Sequence, residues 1–210
     1  KLDDKFKRAG LTALLGMGAM PGVTNILARY LVDKLDSVET ILIRDGWRDF
    51  TKGAPPFVVT WSLPTLMDEM TLNAIIFENG RFREVPPLSL KETVDFPDPV
   101  GTTDVYTTIH SEVATLPISF KEKGVKNVNW KEGGPGFIQN KLLVDIGVAD
   151  ITPIKFNDTK IVPRDFLMAV LTEKRLLGYP EGVIPDDYEA TRVQVIGEKK
   201  KQKVVYTMDV

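Results

Sequence analysis

Cysteine is absent from the 210 residues, and histidine occurs once. The first absence excludes disulfides, thiolate nucleophiles and cysteine-ligated zinc, and the second excludes a histidine-rich metal site. Acidic residues are scattered without metal-ligand spacing, so no metal is expected. An excess of charge is missing too. The formal net charge is −2 although 27% of residues are charged, so no global field recruits nucleic acid or anionic lipid, and neither is an expected partner. No apolar run approaches the roughly 20 residues that span a bilayer. "KLDDKFKRAG" is not a signal peptide. A soluble, cytoplasmic setting is the expectation. Neither a G-x-S-x-G elbow nor a P-loop occurs, and there is no internal repeat.

What is present is 43% hydrophobic residue, enough for one substantial core. Lys1–Gly10 reads as the end of a helix with Gly10 as its left-handed cap. Leu11–Met17 reads as a buried strand. A helix is predicted from about Val23 to Leu35, with Val23, Ile26, Leu27, Tyr30, Leu31 and Leu35 as one apolar stripe. "VETILIR" (38–44) alternates as a strand, "GWRDFTKGAPPF" (46–57) reads as a loop and "FVVTWS" (57–62) as a second strand. Ser62 caps a helix whose first turn holds Pro64. "AIIFENGRFREV" (74–85) predicts a hairpin with a type I′ turn at Asn79-Gly80. The proline-rich stretch 86–104 is expected to be irregular. "VYTTIHSEVATLP" (105–117) reads as a strand and a turn, and "VKNVNWKEG" (125–133) as another strand. Two helices are predicted at Pro135–Val148 and Pro163–Leu177, each with a proline in its first turn. "ATRVQVIGEKKKQKVVYTMDV" (190–210) reads as two strands joined by a solvated charged loop. The fold class expected is α+β, a mixed, largely antiparallel sheet with helices on one face. Both ends look cut, so residues 1–210 are expected to form one domain of a larger chain.

The glycine turn "GMGAMPG" (16–22) stands where a dinucleotide loop often begins. Its spacing is G-x-G-x-x-x-G, one residue longer than the dinucleotide fingerprint, and Pro21 sits where the backbone should pass the pyrophosphate. No residue is therefore assigned to cofactor binding. Two readings remain: a tight corner, or a substrate-carboxylate site made by the free N–H groups of Val23, Thr24 and Asn25 at a helix start.

The stretch "AGLTALLGMGAMPGVTNILARYLVDKLDSVETILIRDG" resembles the saccharopine dehydrogenase family. The likeness continues through "WSLPTLMDE", "FENGRFREVPPLS" and "VDFPDPVGTTDVYTTIHSEVATLP". It implies a domain laid out like the C-terminal domain of glyceraldehyde-3-phosphate dehydrogenase, following an N-terminal Rossmann domain of which residues 1–10 would be the tail. It further implies a parent oxidoreductase that uses NAD or NADP on a C–N bond of an amino acid or amine, with a homodimer and a small amino-acid-like substrate as partners. Pro21, Gly22, Val23, Thr24, Trp61 and Ser62 would then bind substrate, and Asn25 joins them on helix-start geometry alone. Saccharopine-forming members carry an arginine before an Asn-Ala pair. Here Leu72 precedes Asn73-Ala74, and leucine cannot clamp a carboxylate, which leans toward a lysine- or polyamine-pathway dehydrogenase. Arg29, Arg44, Arg48 and Arg164 are the candidates to compensate.

Histidine titrates near neutrality, and on a strand His110 and Glu112 would face the same side. The pair could shuttle the amine proton as the catalytic residues. The alternative is a histidine merely hydrogen-bonded in a half-buried sheet. Trp61 is likewise a substrate platform or a core residue. A non-enzymatic binding or assembly module on the same scaffold is the rival reading.

Overall fold

A computed structural model describes residues 2–54, 59 and 61–210. The chain opens with helix α1 (Leu2–Arg8), closed by Gly10 at φ 64°. Leu11–Met17 is not the expected buried strand: it joins no ladder, and Leu14 and Leu15 are 74% and 86% exposed. A strand needs a ladder partner and apolar cover, and this stretch curls instead into the glycine turn. Helix α2 (Val23–Val32) follows. Its buried face is Thr24, Ala28, Leu31 and Val32, while Val23, Ile26 and Tyr30 are exposed. The apolar stripe is thus wider than the face the sheet accepts.

Strand β1 (Ser37–Asp49) runs through "GWRD", which is ladder and not loop, because the long β9 (Asp187–Lys199) pairs with it as far as Asp49. Half of the expected strand 57–62 (residues 57, 58 and 60) lies outside the described residues. Helix α3 (Leu63–Thr71) is capped as predicted, the Ser62 hydroxyl accepting from the Thr65 N–H. β2 (Ala74–Glu78) and β3 (Arg81–Val85) form the predicted hairpin, with Asn79 and Gly80 both at positive φ.

Residues 86–104 are not irregular: β4 (Ser89–Asp95) pairs with β5 (Thr102–Thr107). The prolines of this stretch flank β4 without entering it, so its ladder donors are intact. After β5 comes a helix and not a turn, α4 (Ser111–Ser119), with His110 at its N-cap. β6 (Asn127–Gly133) and α5 (Phe137–Asp145) follow, the latter capped by Gly136, so Pro135 precedes the helix and is not in its first turn. A small hairpin, β7 (Ile154–Phe156) and β8 (Thr159–Ile161), precedes α6 (Pro163–Glu173), and β10 (Gln202–Asp209) closes the chain against β9.

The main sheet runs β10-β9-β1-β6-β2-β3, with β5 joining β6 to β4. Among the strand-to-strand pairings described, only β1–β6 is parallel. The α+β expectation therefore holds. No helix among the described residues is long and apolar enough to cross a membrane.

Alternation along the strands fixes the rest. Ile41 and Ile43 of β1, Val128 and Trp130 of β6, and Val193 and Val195 of β9 pack under α2 and α4 in one apolar cluster. Farther along, Trp47 and Tyr106 pack into a second cluster with α3, α5 and α6. Between the two on β1 stands Asp45, opposite Glu132 of β6 and Thr191 of β9. A polar band thus crosses the sheet between two apolar cores.

Candidate functional site

At the near end of that band lies the glycine turn. Gly22 sits at φ 143°, and a Cβ there would come within 2.1 Å of the Gly18 carbonyl oxygen, so only glycine fits. The Gly18 N–H donates to Pro21 O at 2.9 Å, Val23 N–H to Gly18 O at 3.0 Å and Thr24 N–H to Ala19 O at 3.2 Å. The expectation of free donors at Val23 and Thr24 is therefore overturned, because the turn consumes them itself. The Asn25 carboxamide accepts from Gly22 N–H at 3.0 Å and donates to Thr115 at 3.4 Å. Its role here is to cap α2 and tie it to α4. The turn is thus closed on its own carbonyls.

Thr24 begins the polar network. Its hydroxyl donates to Glu112 Oε1 at 2.7 Å, while Glu112 Oε2 meets His110 Nδ1. His110 and Glu112 do come together, but as N-cap and first-turn residues of α4 and not as strand neighbours. The imidazole lies flat on Trp130, with ring centroids 3.8 Å apart and planes 11° from parallel. Trp130 Nε1 donates to Thr108 at 3.1 Å, and the Thr108 hydroxyl donates to Glu132. Stack and hydrogen bond fix the ring in two dimensions, and 11% of the His110 side chain is open to solvent. With Glu112 ionised, Nδ1 carries the proton it donates, and Nε2 has no hydrogen-bond partner among the described residues.

Burial works against the Glu112 carboxylate, but His110 and the Thr24 hydroxyl together hold it below the usual carboxylate range. The neighbouring carboxyls move the other way. Burial raises Glu132 despite Thr108. Burial, and then the charge of Glu189, raises Asp45 well above its ordinary value. Glu69 of α3 is pushed up to about 9, by burial first and then by Glu132, Asp68 and Glu112.

Trp61 is half-exposed. The Ser62 oxygen is taken up by the cap, accepting also from the Thr65 hydroxyl at 2.8 Å. None of the four arginines supplies a clamp. Arg29 pairs with Asp33, Arg44 with Glu92 on the opposite sheet face and Arg164 with Asp68, while Arg48 donates to Val100 and Thr102 carbonyls. Two depressions on the described surface lie away from His110. One, of about 180 Å³, is lined by Arg44, Glu92 and Arg192, and the other, of about 300 Å³, by Lys123 and Lys203.

Residues 18–209 match the saccharopine dehydrogenase C-terminal domain. The chain belongs to that family. It is 30% identical over 179 residues to the carboxyaminopropylagmatine dehydrogenase of Synechocystis sp., covering 81% of this chain and 42% of that protein. To the carboxynorspermidine synthase of Vibrio cholerae it is 29% identical over 176 residues, covering 81% and 41%. The chain thus spans about two-fifths of these relatives' length. The saccharopine dehydrogenase (L-Glu forming) of Saccharomyces cerevisiae shares the fold, with a TM-score of 0.65 at 15% identity over 90% of this chain and 57% of that one.

Sequence reasoning missed Glu69, Thr108, Trp130 and Glu132. Three of them left a signal. Strand alternation puts Trp130 and Glu132 on the face of Val128, and helical spacing puts Glu69 beside Leu66 and Met70 on the buried side of α3.

Proposed function

We propose that this domain holds the substrate of an NAD(P)-dependent oxidoreductase acting on a C–N bond, and that His110 manages the proton at the substrate nitrogen. The observation that carries this is the Thr24–Glu112–His110 chain, in which a buried carboxylate orients an imidazole and leaves Nε2 without a partner among the described residues. Glu112 positions the ring and stabilises its protonated form, and Trp130 holds it flat. Hydride transfer would need a dinucleotide held outside the described residues, so no part of that step is assigned here.

The substrate is a small amino-acid-like molecule or amine. Relatives named for carboxynorspermidine and carboxyaminopropylagmatine support an amine of the polyamine kind, as does the commitment of Arg29, Arg44, Arg48 and Arg164 to other partners. The site is read as lying beside the Pro21–Gly22 turn, with Trp61 and Ser62 on its approach. A homodimer in the cytoplasm completes the proposal.

The enclosure of His110 by its own neighbours favours a second reading, a binding or assembly module without catalysis. The full-length protein decides between them, assayed for amine-dependent reduction and imine-dependent oxidation of NAD(P). His110→Gln is expected to lower kcat by about 100-fold or more and to remove one limb of the pH–rate profile. Unchanged turnover in that variant overturns the role of His110. No nicotinamide-dependent turnover in the wild type returns the domain to the module reading.

A further inference from the structure

Burying a glutamate is costly unless its oxygens are paired, yet Glu132 is buried in the sheet. Strand alternation puts it two residues after Trp130, on the same face of β6. Thr108 follows β5, whose Tyr106 is registered opposite Glu132. Its side chain thereby falls between the indole and the carboxylate and bonds to both.

The direction of this chain is fixed by its donors. An indole N–H only donates, and a threonine hydroxyl has a single proton. Trp130 Nε1 donates to Thr108 Oγ1 at 3.1 Å, so the hydroxyl proton is left for Glu132 Oε1. A hydroxyl engaged both as donor and as acceptor is held in one orientation. Thr108 and Trp130 are fully buried, so water does not compete for these bonds.

A bond at Nε1 settles which way the indole is turned about its outer side-chain torsion. On the face so presented lies His110, with centroids 3.8 Å apart and planes 11° from parallel. Glu112 holds the same imidazole from its edge, at Nδ1. An edge bond sets where Nδ1 points and leaves the ring able to tilt about the line of that bond. The indole face removes the tilt. The two restraints act in different directions, and neither replaces the other.

We propose that Thr108 and Glu132 are positioning residues, which act through Trp130 to set the plane of the His110 imidazole while Glu112 sets its edge. This rests on the proton role of His110 given above and deepens it. It also accounts for the buried acid: Glu132 takes the Thr108 proton, which orients the hydroxyl, the indole and, through the stack, the imidazole. Proton transfer needs the donor atom aligned with the reacting nitrogen, and a misplacement of about 1 Å costs about 100-fold.

The test is Thr108→Val in the full-length protein, which keeps the shape of the side chain and removes both bonds. The kcat for amine-dependent reduction of NAD(P) is expected to fall about 10- to 100-fold, with KM within about two-fold of wild type. The His110 imidazole proton resonances, identified by their loss in His110→Gln, are expected to shift. Thr108→Ser restores the hydroxyl and should bring back both the rate and the resonances. Glu132→Leu breaks the chain from its other end and should repeat the Thr108→Val result, so a folding defect in one variant leaves the other as the test. Unmoved resonances overturn the proposal, as do an unchanged kcat and a loss of rate that Thr108→Ser does not restore. If the wild type shows no nicotinamide-dependent turnover, the proton role of His110 falls and the resonances alone decide. A shift that Thr108→Ser reverses then upholds the positioning chain, and unmoved resonances overturn it.

Discussion

Removing the acid from Glu69 is expected to stabilise the protein, and to do so in a pH-dependent way. In the folded chain this carboxyl titrates at about 9, against 4.5 for the ordinary glutamate it becomes on unfolding. Below the unfolded value both states hold the proton, and pH has no leverage. As pH rises above it, the unfolded chain ionises while the folded chain does not, so stability falls with a limiting slope of about 1.4 kcal/mol per pH unit. By about pH 7 the accumulated loss is about 3 kcal/mol, and it stops growing only near the folded value. Glu69→Gln keeps shape and hydrogen-bonding capacity but carries no such linkage. Denaturant unfolding of both proteins from pH 4.5 to pH 8.5 checks this. The curves should coincide at the acid end and diverge steadily upward, with the glutamine variant the more stable. Parallel curves across the whole range would show that Glu69 is ionised and solvated in the folded protein, and the argument for an uncompensated acid would fail.

Gly22→Ala should cost about 3 kcal/mol or more, because the new Cβ meets the Gly18 carbonyl at 2.1 Å in a left-handed conformation; thermal denaturation reads it directly. Thr24→Val keeps the volume but strips Glu112 of a charged hydrogen bond, worth about 1.5–3 kcal/mol. Glu112 should then titrate higher, and the loss of stability on acidification should begin at a higher pH, as urea midpoints across pH 4–7 would register. Trp130→Phe removes the N–H donated to Thr108 and shrinks the surface under His110, for a loss of about 1–2 kcal/mol. The imidazole proton resonances should shift in the same variant, since the stacked ring current changes; unmoved resonances would show that the stack is not populated in solution.

Much of the fold was legible because local chemistry and global packing agree there. Asn79-Gly80 dictates the hairpin, Ser62 and Pro64 set the start of α3, and the alternation of 190–210 predicts two strands with the lysines at their turn. Where reading failed, the deciding partner lay far off in the chain. "GWRD" becomes strand because β9 is long enough to pair with it, and β4 exists because β5 accepts its donors. Leu11–Met17 has a strand's composition and no ladder partner, so it stays exposed.

Sequence alone pointed to the family, through stretches such as "GMGAMPG" and "VYTTIHSEVATLP", and showed that the glycine turn is one residue longer than the dinucleotide fingerprint. Only the tertiary structure decided what the polar residues do together. Thr24 and Glu112 are 88 positions apart, and they meet because α2 and α4 pack on the same sheet face. The same layering buries Glu69 and leaves its Oε2 without a hydrogen-bond partner among the described residues. Burial and charge density are properties of the assembled layers, and no spacing in the sequence encodes them.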